Sequence, residues 1–260
     1  MTDLTGKRIV VTGCASGIGA ATTQTLRARG AYVIGVDRTE TTEANEFWRT
    51  DLSDKTSIER LVDGLSENID GLANIAGLPP TAPPEIVIKV NLVGLKYLTE
   101  GLAPKLAEGA SIVNLASLAG FGWAQSTPLI KEAEGLDFSD VAAFVEANGI
   151  DKEQGRSYFF SKEAIIAWTI KNRWVWRDRG IRMNCVSPGP VETPILKDFL
   201  ETLGERAEED MKVMDRPGRP SDIAPVIAFM LSDDSAWLRG FNLCVDGGMS
   251  SHILSSMHGL

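Results

Sequence analysis

Short apolar runs alternate with stretches of helical character along most of the chain, and this alternation restricts the fold more than any other feature. The runs fall at 8–12, 32–36, 46–50, 71–75, 110–116, 181–186 and 241–245. Segments 18–29, 54–66, 84–106, 155–179 and 221–231 read as helices, with Asp54 as a cap for the second. Strands that are apolar nearly throughout are buried on both faces. They predict a doubly wound (Rossmann-type), mostly parallel seven-stranded α/β sheet with helices on both sides and right-handed crossovers. A chain of 260 residues, 43% of them hydrophobic, can bury such a core as a single domain over 1–260. One segment, 121–156, interrupts the rhythm. It contains two short helical stretches, 129–134 and 139–148, and no strand. Connections of this length inside a compact domain usually carry function, so 121–156 reads as an insertion before the long helix 155–179.

Charge and composition exclude several classes of partner. The formal net charge is −9, which argues against nucleic acid or an anionic membrane despite the local cluster Arg173, Arg177, Arg179 and Arg182. No apolar run approaches the roughly 20 residues of a membrane span, and the first residues do not read as a signal peptide. Cys14, Cys185 and Cys244 lack metal-ligand spacing and read as buried thiols of a reducing, cytoplasmic setting. The two histidines, His252 and His258, lie in the tail, so neither a histidine-based nucleophile nor a metal site is expected.

The first strand runs into Thr12-Gly13-Cys14-Ala15-Ser16-Gly17-Ile18-Gly19. Glycines at this spacing let the backbone turn tightly and approach a pyrophosphate, and the next helix presents free N–H groups and the positive end of its dipole. The pattern is G-x-x-x-G-x-G, which differs from the commoner G-x-G-x-x-G. Asp37 ends the second strand, where a carboxylate accepts hydrogen bonds from both adenosine ribose hydroxyls and repels the extra phosphate of NADP. NAD is therefore the expected cofactor, with Arg38 either offsetting that repulsion or stacking on adenine. The fourth run ends in small residues, Asn74-Ile75-Ala76-Gly77, which leave room for the adenosine half.

Tyr158 and Lys162 are four residues apart, on one face of a helix. A free tyrosine has a pKa of about 10; to act as a base near neutrality it needs about 4 kcal/mol of preferential phenolate stabilisation. A nearby ammonium and a cationic nicotinamide ring are suitable sources. Ser117 follows the strongest strand, at the carboxyl edge where ligands of parallel sheets bind. Asn91, a poor residue for a helix interior, falls inside 84–106.

Taken in order, TGxxxGIG (Thr12 to Gly19), Asp37, Asp51-Leu52, Asn74-Ile75-Ala76-Gly77, Asn91, Ser117, Tyr158-x-x-x-Lys162, Ser187-Pro188-Gly189-Pro190-Val191-Glu192-Thr193 and Val245-Asp246-Gly247-Gly248 resemble the short-chain dehydrogenase/reductase family. The resemblance spans about residues 5–250. It implies an Asn91-Ser117-Tyr158-Lys162 tetrad in which Tyr158 is the acid/base and Ser117 orients the substrate oxygen. Lys162 would lower the Tyr158 pKa and bind ribose, and Asn91 would support a proton-relaying water. It further implies that Gly13, Ser16, Gly17, Ile18, Gly19, Leu52, Asn74, Ala76, Gly77, Pro188 and Gly189 frame the cofactor. Asp51 would bind the adenine amino group, with Thr193 and the backbone near Val191 at the carboxamide. One departure is Ala73, where the family commonly has a first asparagine.

The Ser117-to-Tyr158 interval is longer than in most of the family and is similar to that of its bacterial hydroxysteroid dehydrogenase/carbonyl reductase branch. Resemblance over whole stretches implies an NAD-dependent enzyme for an aromatic allylic alcohol such as coniferyl alcohol, with 3α-hydroxysteroids or other carbonyls as the alternative. A non-catalytic dinucleotide-binding regulator is the alternative of another class, and the intact Ser117, Tyr158 and Lys162 weigh against it. The substrate is expected to be a small hydrophobic alcohol or carbonyl compound held by Leu118, Trp123, Ile195 and Phe199, with 190–218 as the substrate-binding loop and helix. A homodimer or homotetramer is expected, with 121–156 as a lid or an element limiting assembly.

Overall fold

The strands are β1 (Arg8–Thr12), β2 (Tyr32–Asp37), β3 (Glu46–Arg49), β4 (Ile69–Asn74), β5 (Leu106–Leu115), β6 (Arg182–Pro188) and β7 (Asn242–Val245). In the computed structural model, which describes residues 2–204 and 212–260, they form one sheet in the order β3-β2-β1-β4-β5-β6-β7. Every neighbouring pair is parallel. The order reverses at β1, which lies between β2 and β4. Connections therefore leave in opposite directions there and open a crevice beyond the carboxyl ends of β1 and β4.

The helices are α1 (Gly17–Ala28), α2 (Lys55–Gly64), α3 (Pro84–Ile88), α4 (Leu95–Leu102), α5 (Thr127–Glu132), α6 (Val141–Ala147), α7 (Arg156–Asn172), α8 (Leu196–Leu203), α9 (Pro220–Leu231) and α10 (Met249–His258). Strand side chains alternate between two cores, as a period of two requires. Ile9 and Val11 of β1 pack with Leu26 of α1 and Ile223 and Ile227 of α9. Val10 between them faces Ile58 and Leu61 of α2 and Leu98 and Leu102 of α4. A third cluster unites α6 (Phe144, Val145), α3 (Ile88) and α7 (Phe160, Ile165). The irregular segment is thereby docked on the helix that carries Tyr158, with the Phe144 and Phe160 rings 5.7 Å apart.

Four expectations shift. The helix read over 84–106 stops at Leu102 and contains a π-helical turn, Lys89–Gly94, between α3 and α4. Leu106 already belongs to β5, so that strand is longer than its apolar run. The helix read over 155–179 ends at Asn172 because side chains close its last turn: Asn172 Nδ2 donates to Trp168 O (2.8 Å) and Arg173 Nη1 to Ile170 O (2.7 Å). The tail, not read as regular structure, forms α10. Residues 205–211 of the expected substrate segment 190–218 lie outside the described residues. Among the described residues no helix is long and apolar enough to cross a membrane, and no acidic, cysteine or histidine cluster could hold a metal ion.

Candidate active site

Two adjoining clefts open at the carboxyl edge of the sheet. The first, about 300 Å³, is lined by Gly13, Ser16, Gly17, Ile18, Gly19, Asp37, Arg38, Asp51, Leu52, Ala76 and Gly77, all named from the sequence. Glycine is required by space at two of these. A Cβ on Gly13 (φ +70°) would stand 2.8 Å from Ala76 Cα, and one on Gly19 would stand 1.9 Å from Gly13 O. The loop therefore closes against β4, and α1 begins close behind it. Ser16 precedes α1 in extended conformation without a side-chain cap, which leaves the first N–H groups of the helix facing the cleft. Each Asp37 oxygen accepts one backbone N–H, from Ala15 (3.1 Å) and Thr39 (2.9 Å). This fixes the carboxylate while leaving acceptor capacity on both oxygens. Asp51 Oδ1 accepts from the N–H and Oγ of Ser53, so its orientation is set by a local turn. Tight backbone, free helix N–H groups and an anchored carboxylate suit a dinucleotide.

The second cleft, about 460 Å³, shares Ile18, Ile75, Gly77, Leu78, Leu115, Thr193 and Ile195 with the first, so the two are continuous. Ser117, Tyr158 and Lys162 line it, as do Pro188, Gly189 and Val191 from the end of β6 onward. Ser117 caps a short 3₁₀ turn, Leu118–Gly120, its Oγ accepting from Ala119 N at 3.1 Å. Lys162 is 3% exposed, and its Nζ donates to Leu115 O (2.8 Å) and lies 5.5 Å from the Tyr158 ring centre. Burial pushes the Lys162 ammonium down to about 8. Burial also pushes the Tyr158 phenol up to about 12, opposed by hydrogen bonding with Ser117. In the fold, desolvation of the phenolate is the larger influence on Tyr158 and the Ser117 hydroxyl works against it.

Asn91 lies in the π-helical turn, a distortion often found at functional sites. Its side chain does not line either cleft. Oδ1 accepts from Leu78 N (2.7 Å), while Nδ2 donates to Leu78 O (3.2 Å) and Ser161 Oγ (3.4 Å). Asn91 thus positions the Leu78 peptide, which lines both clefts. Asn74 also differs from its expected cofactor role. It is buried, and its Nδ2 donates to Thr99 Oγ1 and Asn114 Oδ1, both at 2.8 Å, tying β4 to α4 and β5. The hydroxyl of Thr12 holds the strand end instead, accepting from the N–H groups of Ile75 and Ala76.

Of the four expected substrate contacts, Leu118, Ile195 and Phe199 line the second cleft. Trp123 does not; its indole packs against the core formed by α3, α6 and α7. The Phe199 ring meets Tyr158 edge-on at 4.8 Å, and Asp198 accepts a hydrogen bond from Thr81 Oγ1 (2.5 Å), so α8 lies across the cleft. Phe159, Glu163 and Ile253 are cleft residues that sequence reasoning missed. The first two repeat the four-residue spacing of Tyr158 and Lys162 one position on, which was the available signal.

Comparison with known proteins agrees with this geometry. Residues 7–128 match the family model described as short chain dehydrogenase, and residues 141–250 match the one described as Enoyl-(Acyl carrier protein) reductase. The chain is 45% identical to coniferyl-alcohol dehydrogenase of Pseudomonas sp., over 96% of this chain and 98% of that one. It is 33% identical to 3-alpha-hydroxysteroid dehydrogenase/carbonyl reductase of Comamonas testosteroni, covering 94% and 96%. The solved 3-alpha-hydroxysteroid dehydrogenase of Pseudomonas sp. B-0831, complexed with NADH, superposes with a TM-score of 0.82 at 31% identity, covering 95% and 98%. Fold, site and relatives define an NAD(P)-dependent alcohol oxidoreductase. The chain belongs to the short-chain dehydrogenase/reductase family.

Proposed function

We propose that this enzyme oxidises an aromatic allylic alcohol such as coniferyl alcohol to its aldehyde with NAD, using Tyr158 as general acid/base. The observation that carries this reading is the shape of the second cleft. Ser117, Tyr158 and Lys162 line it together, and Leu118, Phe121, Phe159 and Phe199 supply apolar and aromatic walls. A flat ring bearing an alcohol on a short chain suits that combination. The 45% identity to a coniferyl-alcohol dehydrogenase supports the same choice.

The proposed roles follow from position. Ser117 holds the carbinol oxygen. Tyr158 accepts the hydroxyl proton as the aldehyde forms and returns one in the reverse direction. Lys162, held by the Leu115 carbonyl, places a buried positive charge beside Tyr158 and within reach of a ribose. When bound, the nicotinamide supplies the hydride acceptor. Asp37 supports NAD over NADP, because its anchored carboxylate repels a 2′-phosphate; Arg38 lines the same cleft and would stack on the adenine. The residues lining the two clefts would hold the cofactor and substrate, with Asn74 and Asn91 acting through the strand end and the Leu78 peptide. The insertion 121–156 covers one face of α7, which favours a dimer over a tetramer paired through that helix; light scattering distinguishes the two.

A hydroxysteroid dehydrogenase/carbonyl reductase is the second reading, favoured by the 0.82 TM-score to a 3-alpha-hydroxysteroid dehydrogenase. Turnover with NAD and NADP over cinnamyl-type alcohols, 3-hydroxysteroids and simple secondary alcohols decides. Cinnamyl-type alcohols with NAD should give the highest kcat/KM. Steroid turnover without cinnamyl turnover would transfer the assignment to the second reading.

A further inference from the structure

One charged group in the substrate cleft has no role in the chemistry so far. Glu163 is the single carboxylate among the described residues lining that cleft, and its side chain is only 10% exposed. Its Oε2 accepts from Arg156 Nη1 at 3.0 Å, whereas Oε1 has no hydrogen-bond partner among the described residues. Arg156 is itself fixed: its Nη2 donates to Ser126 Oγ at 3.1 Å, and its guanidinium stands 5.7 Å from the centre of the Phe160 ring. The insertion thus supplies, through Ser126, the anchor that holds the carboxylate in place.

Solvent in the cleft can satisfy the free Glu163 oxygen, so a ligand that displaces this solvent without supplying a donor incurs the cost of an unmet acceptor. A ligand that brings a hydrogen-bond donor removes that cost, and one that brings only apolar surface does not. Glu163 lies five residues after Tyr158 on α7, which is about 7.5 Å further along the helix axis. Phe159, one turn before Glu163, lines the same cleft. An allylic alcohol with its carbinol at Tyr158 and Ser117 extends its conjugated chain and ring away from them, through the aromatic part of the cleft.

We propose that Glu163 accepts a hydrogen bond from a ring hydroxyl of the substrate, so that the enzyme selects phenol-bearing allylic alcohols. The inference rests on the dehydrogenase reading above and adds the substrate feature that is recognised. Glu163 is a specificity-determining residue; it exchanges no proton with the substrate, and Arg156 and Ser126 are its positioning residues. The same carboxylate disfavours a substrate with a ring carboxylate, through like-charge repulsion.

The test compares kcat/KM with NAD for 4-hydroxycinnamyl, 4-methoxycinnamyl and unsubstituted cinnamyl alcohols, in the wild type and in Glu163→Gln. The wild type should prefer the hydroxyl compound over both others by about tenfold to a hundredfold, the range of a hydrogen bond to a charged group. In Glu163→Gln that ratio should fall toward one, a change that a merely structural role would not produce. Equal wild-type values for the hydroxy and methoxy alcohols, or an undiminished preference in the variant, would overturn the role of Glu163 and leave the dehydrogenase reading standing. No wild-type turnover of any of the three would overturn that reading itself. The wild-type ratio decides even if the variant does not fold.

Discussion

Replacing Lys162 by methionine gives a stability change whose sign depends on pH. Lys162 is almost fully buried, and its Nζ bonds a backbone carbonyl with no carboxylate of the described residues within ion-pair distance. Its pKa falls from an ordinary 10.5 to about 8 in the fold. The unfolded chain therefore binds the proton near pH 10.5, and the folded protein binds it only near pH 8. As pH falls through this window the unfolded state gains protons that the folded state does not, so the wild type loses stability. The loss approaches about 3 kcal/mol by pH 7, at about 1.4 kcal/mol per pKa unit. Methionine carries no such term, but it leaves the Leu115 carbonyl without its donor, at about 1–3 kcal/mol independent of pH. Lys162→Met should therefore be less stable than the wild type above pH 10 and should gain about 3 kcal/mol relative to it by pH 7. Urea titrations followed by tryptophan fluorescence measure both, and other titrating groups cancel in the difference. A difference that stays constant with pH would refute the reasoning, because Lys162 would then carry the same charge in both states.

Other consequences are equally direct. Asp37→Ala should weaken NAD more than NADP, and binding titrations of both nucleotides check this; an unchanged ratio would place Asp37 away from the ribose. Burial holds the Cys14 and Cys185 thiols up at about 12, and Cys244 is only half-buried. A thiol reagent should modify Cys244 first in the native protein and all three cysteines after unfolding, with mass spectrometry identifying the sites.

Periodicity made the sheet legible because buried parallel strands leave apolar runs that little else in a soluble chain produces. Asp54 marked the start of α2 through its side chain, which accepts from Thr56 N in the structure. Helix ends were harder to read, since no glycine or proline stops the helix at Asn172; tertiary packing and the side chains of Asn172 and Arg173 do so. The glycine-rich loop and the Tyr158–Lys162 pair, which line the two clefts, were readable because each is a group of residues close in sequence. Trp123 and Asn74 misled for the opposite reason. A large indole or an amide close to Ser117 or a strand end looks functional by position, and only the fold shows that Trp123 packs against the core that holds α3, α6 and α7 and that Asn74 bridges β4, β5 and α4. Ile253 was out of reach, because nothing in the tail signals that α10 folds back over the cleft.

The most direct test of the account is Tyr158→Phe. The substitution keeps the ring and its edge-on contact with Phe199, and removes only the hydroxyl. With NAD and a cinnamyl-type alcohol, turnover should fall by about 10²–10⁴-fold or more, the scale of a lost general acid/base, while NADH still binds. Turnover within a few-fold of the wild type would contradict the central claim that Tyr158 moves the proton.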